Sequence, residues 1–239
     1  MKINNIINLV EKELRKVRNI IYHRIYINSN LEKKLIDEFH KLYYEFPEKT
    51  WNNTFWLGIP TQKCPLDLWI YQEIIYDVKP DVIVEAGTAN GGGALFLAGI
   101  CDFVGNGRVI SIDIANADKK PKHKRIDYLL GSSTSEEIVR KVKGSIKEHD
   151  KVMVILDSDH SKSHVLDELR IYNKLVTKGS YLVVEDTNIN NHPVSSNFGP
   201  GPMEAVEVFL QENHDFVIDK RKEKFYLTFN PKGYLRKMR

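Results

Sequence analysis

The feature that most restricts this chain is the regular alternation, from Leu66 onward, of short β-branched runs with helix-like segments. Leu68, Ile70, Ile74 and Ile75 recur at helical spacing and stop before Pro80, a residue type that disfavours helical geometry in its predecessor. Asp81–Glu85, Arg108–Asp113, Arg125–Leu130, Val152–Asp157 and Ser180–Glu185 read as strands. Between them, Ala94–Cys101, Ser135–Ile146 and His164–Leu175 read as helices. Strands that are apolar throughout need cover on both faces. The pattern therefore predicts an α/β, Rossmann-like doubly wound fold with a mostly parallel sheet. A helix over Glu204–Gln211 should follow, then two closing strands, Phe216–Asp219 and Phe225–Phe229. Only Lys220–Lys224 would join those two, a link short enough to demand an antiparallel hairpin. The expected sheet has seven strands.

The segment before this unit reads differently. Ile3, Ile6, Ile7, Val10, Leu14, Val17 and Ile21 recur three and four apart, as on an amphipathic helix, and a second helical patch runs from Leu31 to Tyr44. Residues 1–50 are expected to form an N-terminal helical extension and 51–239 the main domain. The first helix has an aliphatic face without interfacial Trp or Phe, which favours packing or pairing with a second subunit, hence a homo-oligomer. Charges at Glu11, Glu13, Arg15 and Lys16 interrupt any signal-peptide pattern, so a cytoplasmic location is expected. No apolar run is long enough to span a bilayer. The net charge of +3 is too weak to imply nucleic acid. It is nonetheless concentrated at the ends, in Lys12, Arg15, Lys16, Arg18 and Arg24 and in Lys232, Arg236, Lys237 and Arg239. These are either solvated termini or a peripheral surface for anionic lipid or an acidic glycan precursor. Cys64 and Cys101 fit neither a disulfide framework nor a zinc site and read as buried small hydrophobes.

Two groups of residues fall where such folds bind ligands, at the carboxyl ends of strands near the reversal of strand order. The first is Val84-Glu-Ala-Gly-Thr-Ala-Asn-Gly-Gly-Gly93, between a strand and a helix. Gly87 and Gly91 let the backbone approach a bulky ligand, Thr88 shares the turn, and Glu85 can accept hydrogen bonds. A pyrophosphate would want G-x-G-x-x-G and a positive helix terminus. Here the glycine spacing differs and an acid precedes the turn, which suits the cationic methionine end of S-adenosylmethionine. Asp113 closes the next strand about 20 residues on, where a carboxylate can take both ribose hydroxyls. A surface aspartate at a strand end would look the same. Ser132, in Gly131-Ser132-Ser133, falls where a loop could cover adenine.

The second group is Leu156-Asp-Ser-Asp-His-Ser161 after the fourth strand and Val184-Glu-Asp-Thr187 at the end of the fifth. Adjacent parallel strands would bring Asp157, Asp159, Glu185 and Asp186 to one edge, where unneutralised carboxylates repel. A hard divalent cation removes that cost, and Mg²⁺ is the usual occupant. The preferred ligand set is Asp159, Glu185 and Asp186, with Asp157 nearer the cofactor. The choice between Asp157 and Asp159 stays open, and Asp159 or Ser161 could instead cap the next helix. His160, inside the cluster, and His192 are candidate general bases for a hydroxyl whose pKa the metal would lower. Asn191-His-Pro193 and Asn197–Pro202 form a loop that could close over an acceptor or be a rigid turn.

These motifs, with Tyr71-Gln-Glu-Ile-Ile, Lys79-Pro-Asp-Val-Ile-Val-Glu-Ala-Gly-Thr-Ala, Gly179-Ser-Tyr-Leu-Val-Val-Glu-Asp-Thr and Gly199-Pro-Gly-Pro, resemble one family over residues 66–235. It groups rhamnosyl O-methyltransferases with the cephamycin-biosynthesis protein often labelled cephalosporin hydroxylase. The resemblance implies a class I methyltransferase fold and an Mg²⁺-assisted transfer from S-adenosylmethionine to a hydroxyl, with a sugar in a glycan or glycosylated natural product as acceptor. It also implies cofactor contacts at Glu85, Gly87 and Asp113 and metal contacts at Asp159, Glu185 and Asp186. Ala86, Asn90 and Gly93 stand where Thr, His and Ser would be expected. Competing readings are a nicotinamide oxidoreductase, which would need the missing pyrophosphate pattern, and an iron hydroxylase, which would need two histidines and one carboxylate. A non-catalytic binding protein and a methyltransferase of a non-sugar small molecule also remain.

Overall fold

A computed structural model describes residues 10–18, 20, 29–47, 49–115 and 120–239. Helix α1 (Ser29–Glu45) leads to a two-stranded antiparallel ribbon, β1 (Phe55–Trp56) and β2 (Ile59–Pro60). The main unit then runs α2 (Pro65–Val78), β3 (Val82–Ala86), α3 (Gly92–Val104), β4 (Arg108–Asp113), β5 (Ile126–Leu130), α4 (Glu136–Ser145) and β6 (Val152–Leu156). It finishes with α5 (Lys162–Tyr172), β7 (Tyr181–Val184), α6 (Pro202–Glu212), β8 (Phe216–Ile218) and β9 (Tyr234–Lys237).

Seven strands form one sheet in the order β5-β4-β3-β6-β7-β9-β8. β5 through β7 are parallel, while β9 pairs antiparallel with both β7 and β8. The period-two geometry of a strand explains the two-sided core. On β6, Val152, Val154 and Leu156 pack with Ile138, Val142, Leu169 and Phe209 of α4, α5 and α6. Met153 and Ile155 of the same strand face Ile70, Ile74, Ala94, Leu97 and Cys101 of α2 and α3. Both cysteines are buried and unpaired. The chain fills β3, β4 and β5 in one direction and returns to β6 on the other side of β3, so strand order reverses between β3 and β6.

The doubly wound sheet and its antiparallel closure agree with the expectation, but the last strand does not lie at Phe225–Phe229. It is β9, and residues 219–233 make a longer connection holding a 3-10 turn, Lys220–Glu223. The reason lies in side chains that the sheet pattern ignores. Buried Asp67 accepts from the Phe229 amide at 2.8 Å and the Thr228 hydroxyl at 2.5 Å, pulling that stretch off the sheet and onto the start of α2. Phe229 then packs against the rings of His40, Tyr43 and Tyr44, which seats α1 on the main unit.

Residues 10–18 are helical, with Val10, Leu14 and Val17 exposed. Ile3, Ile6, Ile7 and Ile21 of the expected apolar stripe, and Arg24, lie outside the described residues. Among the described residues, no helix is long and apolar enough to cross a membrane.

Candidate active site

β3, β6 and β7 lie side by side in parallel register, Ala86 opposite Leu156 and Leu156 opposite Val184. The residues just past these partners therefore emerge at one edge. Asp157 N donates to Ala86 O at 2.7 Å and Glu185 N to Leu156 O at 2.9 Å, so the ladder holds until the acids begin. A cleft of about 470 Å³ opens there, at the strand-order reversal, with Glu85, Gly87, Thr88, Asp113, Ser132 and Asp157 among its lining residues.

Gly87 has φ +96°, and a Cβ on it would lie 1.8 Å from the Asp157 carbonyl oxygen. Only a residue without a side chain lets β3 and β6 close here. Asp113 fixes the turn that follows. Its carboxylate accepts from the amides of Thr88 at 3.0 Å, Ala89 at 2.8 Å and Ala115 at 2.8 Å. Thr88 Oγ1 lies 2.7 Å from Ser111 Oγ, and Ser111 donates to buried Glu85 at 2.5 Å. Burial pushes the Glu85 carboxyl up to about 7 despite the opposing Lys63 charge. An acid held this way favours a cationic ligand group in front of it. Gly91 (φ +83°) also serves the turn but does not line the cleft, and a Cβ on it would lie 2.8 Å from Pro121 Cδ.

The acidic edge has its own organisation. Asp157, His160 and Asp186 each offer a ligand atom, all within 4.8 Å of one another. His160 Nε2 is 3.3 Å from Asp186 Oδ2. Asp186 adopts φ +54°, an uncommon conformation for a non-glycine residue, and its amide donates to Asn230 Oδ1 at 3.2 Å. Glu185 is buried, its Oε1 accepting from Lys63 Nζ at 2.6 Å and the Tyr71 hydroxyl at 2.8 Å. Lys63 Nζ also donates to Asp157 Oδ2 at 2.7 Å. Desolvation would lower the lysine's pKa, but the charges of Asp157, Glu185 and Glu85 more than offset it and hold the ammonium well above its ordinary value. Burial, then the Asp157 charge, pushes the Glu185 carboxyl upward. Burial also raises Asp186, against the opposing pull of His160.

Asp159 lines the same cleft, one Oδ accepting from the Ser161 amide at 2.7 Å, and the Ser161 hydroxyl together with that amide holds its carboxyl below the ordinary value. His192 stands apart from the acidic cluster. Its Nε2 lies 2.8 Å from Glu204 Oε1, and Glu204 also accepts from the Gly201 amide at 2.6 Å at the start of α6. The Gly199–Gly201 turn reaches the acidic loop, where Lys162 N donates to Pro200 O at 3.0 Å. Sequence reasoning missed Lys63 and Tyr71 as members of the site. A single lysine in a proline-rich turn carries no period or spacing, and only the packing of the β2–α2 turn reveals it.

A chain with this doubly wound sheet, antiparallel closure and acid-flanked glycine turn has the class I methyltransferase fold. Residues 48–238 match the family described as Rhamnosyl O-methyltransferase/CmcI, and the chain belongs to it. The rhamnosyl O-methyltransferase of Mycobacterium leprae (strain TN) is 39% identical over 210 residues, covering 84% of this chain and 90% of that protein. The enzyme of the same name from Mycobacterium tuberculosis (strain ATCC 25618 / H37Rv) is 38% identical over 206 residues, 83% of either chain. A structure of CmcI with Mg and SAM superposes with a TM-score of 0.61 over 79% of this chain and 78% of that one. At 19% identity, that likeness is one of fold.

Proposed function

We propose that this chain transfers a methyl group from S-adenosylmethionine to a hydroxyl of a sugar, rhamnose or a close relative, with Mg²⁺ bound at the acidic edge. The observation that carries this is the acidic cluster beside the cofactor cleft at one sheet edge, in a chain whose family relatives are named rhamnosyl O-methyltransferases. The residues fit both groups. Glu85 faces the cationic end of the donor, Gly87 gives close backbone approach, Thr88 and Gly91 shape the turn, and Asp113 and Ser132 receive the adenosine. For the ion we propose Asp159, Glu185 and Asp186, with Asp157 on the donor side. Asp186 is shared with the set that geometry gathers, and a hard cation prefers the Asp159 oxygen to the His160 nitrogen.

Bound Mg²⁺ supplies charge stabilisation for the alkoxide that forms as the acceptor loses its proton. The chain's own residues do the rest. His160 takes the acceptor proton at Nδ1, its Nε2 being held 3.3 Å from Asp186 Oδ2. The cleft walls hold donor and acceptor in line, and orientation of this kind can supply roughly 7–11 kcal/mol of barrier reduction. An iron hydroxylase is disfavoured because, among the described residues, His160 is the one histidine grouped with Asp157 and Asp186. The exposed apolar residues Val10, Leu14, Val17, Leu35 and Phe39 support a homo-oligomer. The basic ends support peripheral contact with an anionic surface, and use of a cytosolic donor supports a cytoplasmic site of action.

The test is transfer of labelled methyl from S-adenosylmethionine to rhamnosylated and rhamnose-free acceptors, with and without EDTA. Label on the sugar oxygen, lost in EDTA, is the expected result. Equal turnover in EDTA refutes the metal role, and equal labelling of the rhamnose-free acceptor refutes the sugar.

A further inference from the structure

Methyl transfer as derived above leaves one charged group of the site without a task. Lys63 is 5% exposed, and its ammonium lies between Asp157 on the donor side and Glu185, a proposed ligand of the ion. Its placement is built rather than incidental. Thr54 Oγ1 accepts from Lys63 N and donates to Lys63 O, both at 3.3 Å, which fixes the backbone. A Cβ on Gly93 would lie 2.8 Å from Lys63 Cε and 2.8 Å from Glu85 Oε1, so α3 carries a glycine where the lysine stem passes. The Tyr71 hydroxyl completes the shell of the Glu185 oxygen that Lys63 holds.

A buried ammonium persists only when paired, and converging carboxylates persist only when neutralised. Here each meets the other's need without a metal. We propose that Lys63 is a resident counter-ion of the metal site. Its charge keeps the acidic edge folded when no divalent ion is bound, and competes for Glu185 when one is. The ion therefore meets a cluster already relieved of one negative charge, and binds more weakly than the bare acids would bind it. This inference rests on the metal reading above.

The test is calorimetric titration of MgCl₂ into the wild-type chain, Lys63→Met and Lys63→Gln, with thermal unfolding of each in EDTA and in MgCl₂. Loss of one unit charge a few ångströms from the ion should tighten binding roughly tenfold or more. Both variants should unfold earlier than wild type in EDTA and regain the difference in MgCl₂. Affinity unchanged or weakened in a folded Lys63→Met chain overturns the proposal, since the lysine would then serve only to orient the acids. A Lys63→Met chain that stays unfolded in saturating MgCl₂ also overturns it, because the ion should replace the ammonium. Lys63→Gln keeps polar contact without charge, so wild-type behaviour there overturns it as well. A wild-type chain that binds no Mg²⁺ sinks the metal reading and this inference together. Wild-type binding without tightening in the variants sinks this inference alone.

Discussion

Gly87→Ala tests whether the closure of β3 against β6 is what makes the cofactor cleft. At φ +96° an alanine pays the left-handed penalty of about 1–2 kcal/mol. Its methyl would also lie 1.8 Å from the Asp157 carbonyl oxygen and 2.4 Å from the carbonyl carbon, so backbone must move. Overpacking of a tight interior costs about 1–3 kcal/mol more. The total of roughly 2–5 kcal/mol is a large share of the 5–15 kcal/mol that holds a typical domain. It corresponds to a fall in Tm of about 4–20 °C for a chain of this size. Differential scanning fluorimetry reads that fall, and calorimetry with S-adenosylhomocysteine should show weakened binding because Asp157 and the glycine turn shift together. Gly144→Ala is the matched control. A Cβ there meets nothing within 4 Å, and helix propensity should make it neutral or stabilising by up to about 1 kcal/mol. A Gly87→Ala chain that melts with the wild type and binds the cofactor analogue equally well would refute the reasoning.

Asp159→Asn should weaken Mg²⁺ binding and leave affinity for S-adenosylhomocysteine nearly intact, whereas Asp157→Asn should weaken the latter more; calorimetry with either ligand separates them, and the reverse pattern exchanges their roles. His160→Ala should lower kcat by about 10²–10⁴-fold, the usual worth of a general base, while His192→Ala, whose partner is Glu204, should cost little; equal losses would contradict the assignment of the proton to His160. Glu85 is pushed up from 4.5 to about 7, so the folded chain binds more protons than the unfolded one in that window, and stability from this group falls as pH rises from about 4.5 to about 7. His40, lowered to about 4 by burial, acts in the opposite sense below 6.5. The readout is therefore the difference in urea midpoint between wild type and Glu85→Gln, in EDTA: the wild type should lose ground to the variant between pH 5 and 7, and a gain would contradict the burial argument.

The fold was legible wherever the strands are apolar on both faces, because burial between two helical layers leaves no polar alternation. β3, β6 and β7 are of this kind, every residue buried. The error at Phe225–Phe229 arose where an apolar run serves another purpose. It is held by Asp67, a residue more than 150 positions earlier, which no local pattern reveals. The gathering of acids at one edge was legible because parallel strands place their carboxyl ends together. Which of them touch was not, since Asp186 sits in a left-handed conformation and Lys63 enters from the β2–α2 turn. Gly91 reads like Gly87 in sequence, yet one supports the turn and the other admits a neighbouring strand.

Anomalous diffraction from crystals grown with S-adenosylhomocysteine and MnCl₂ addresses the centre of this account. One strong peak is expected at the carboxyl ends of β6 and β7 with Asp186 among its ligands, and the adenosine lying between Asp113 and Ser132. A peak elsewhere with that edge empty, or a cofactor bound outside the cleft beside Gly87, would contradict it.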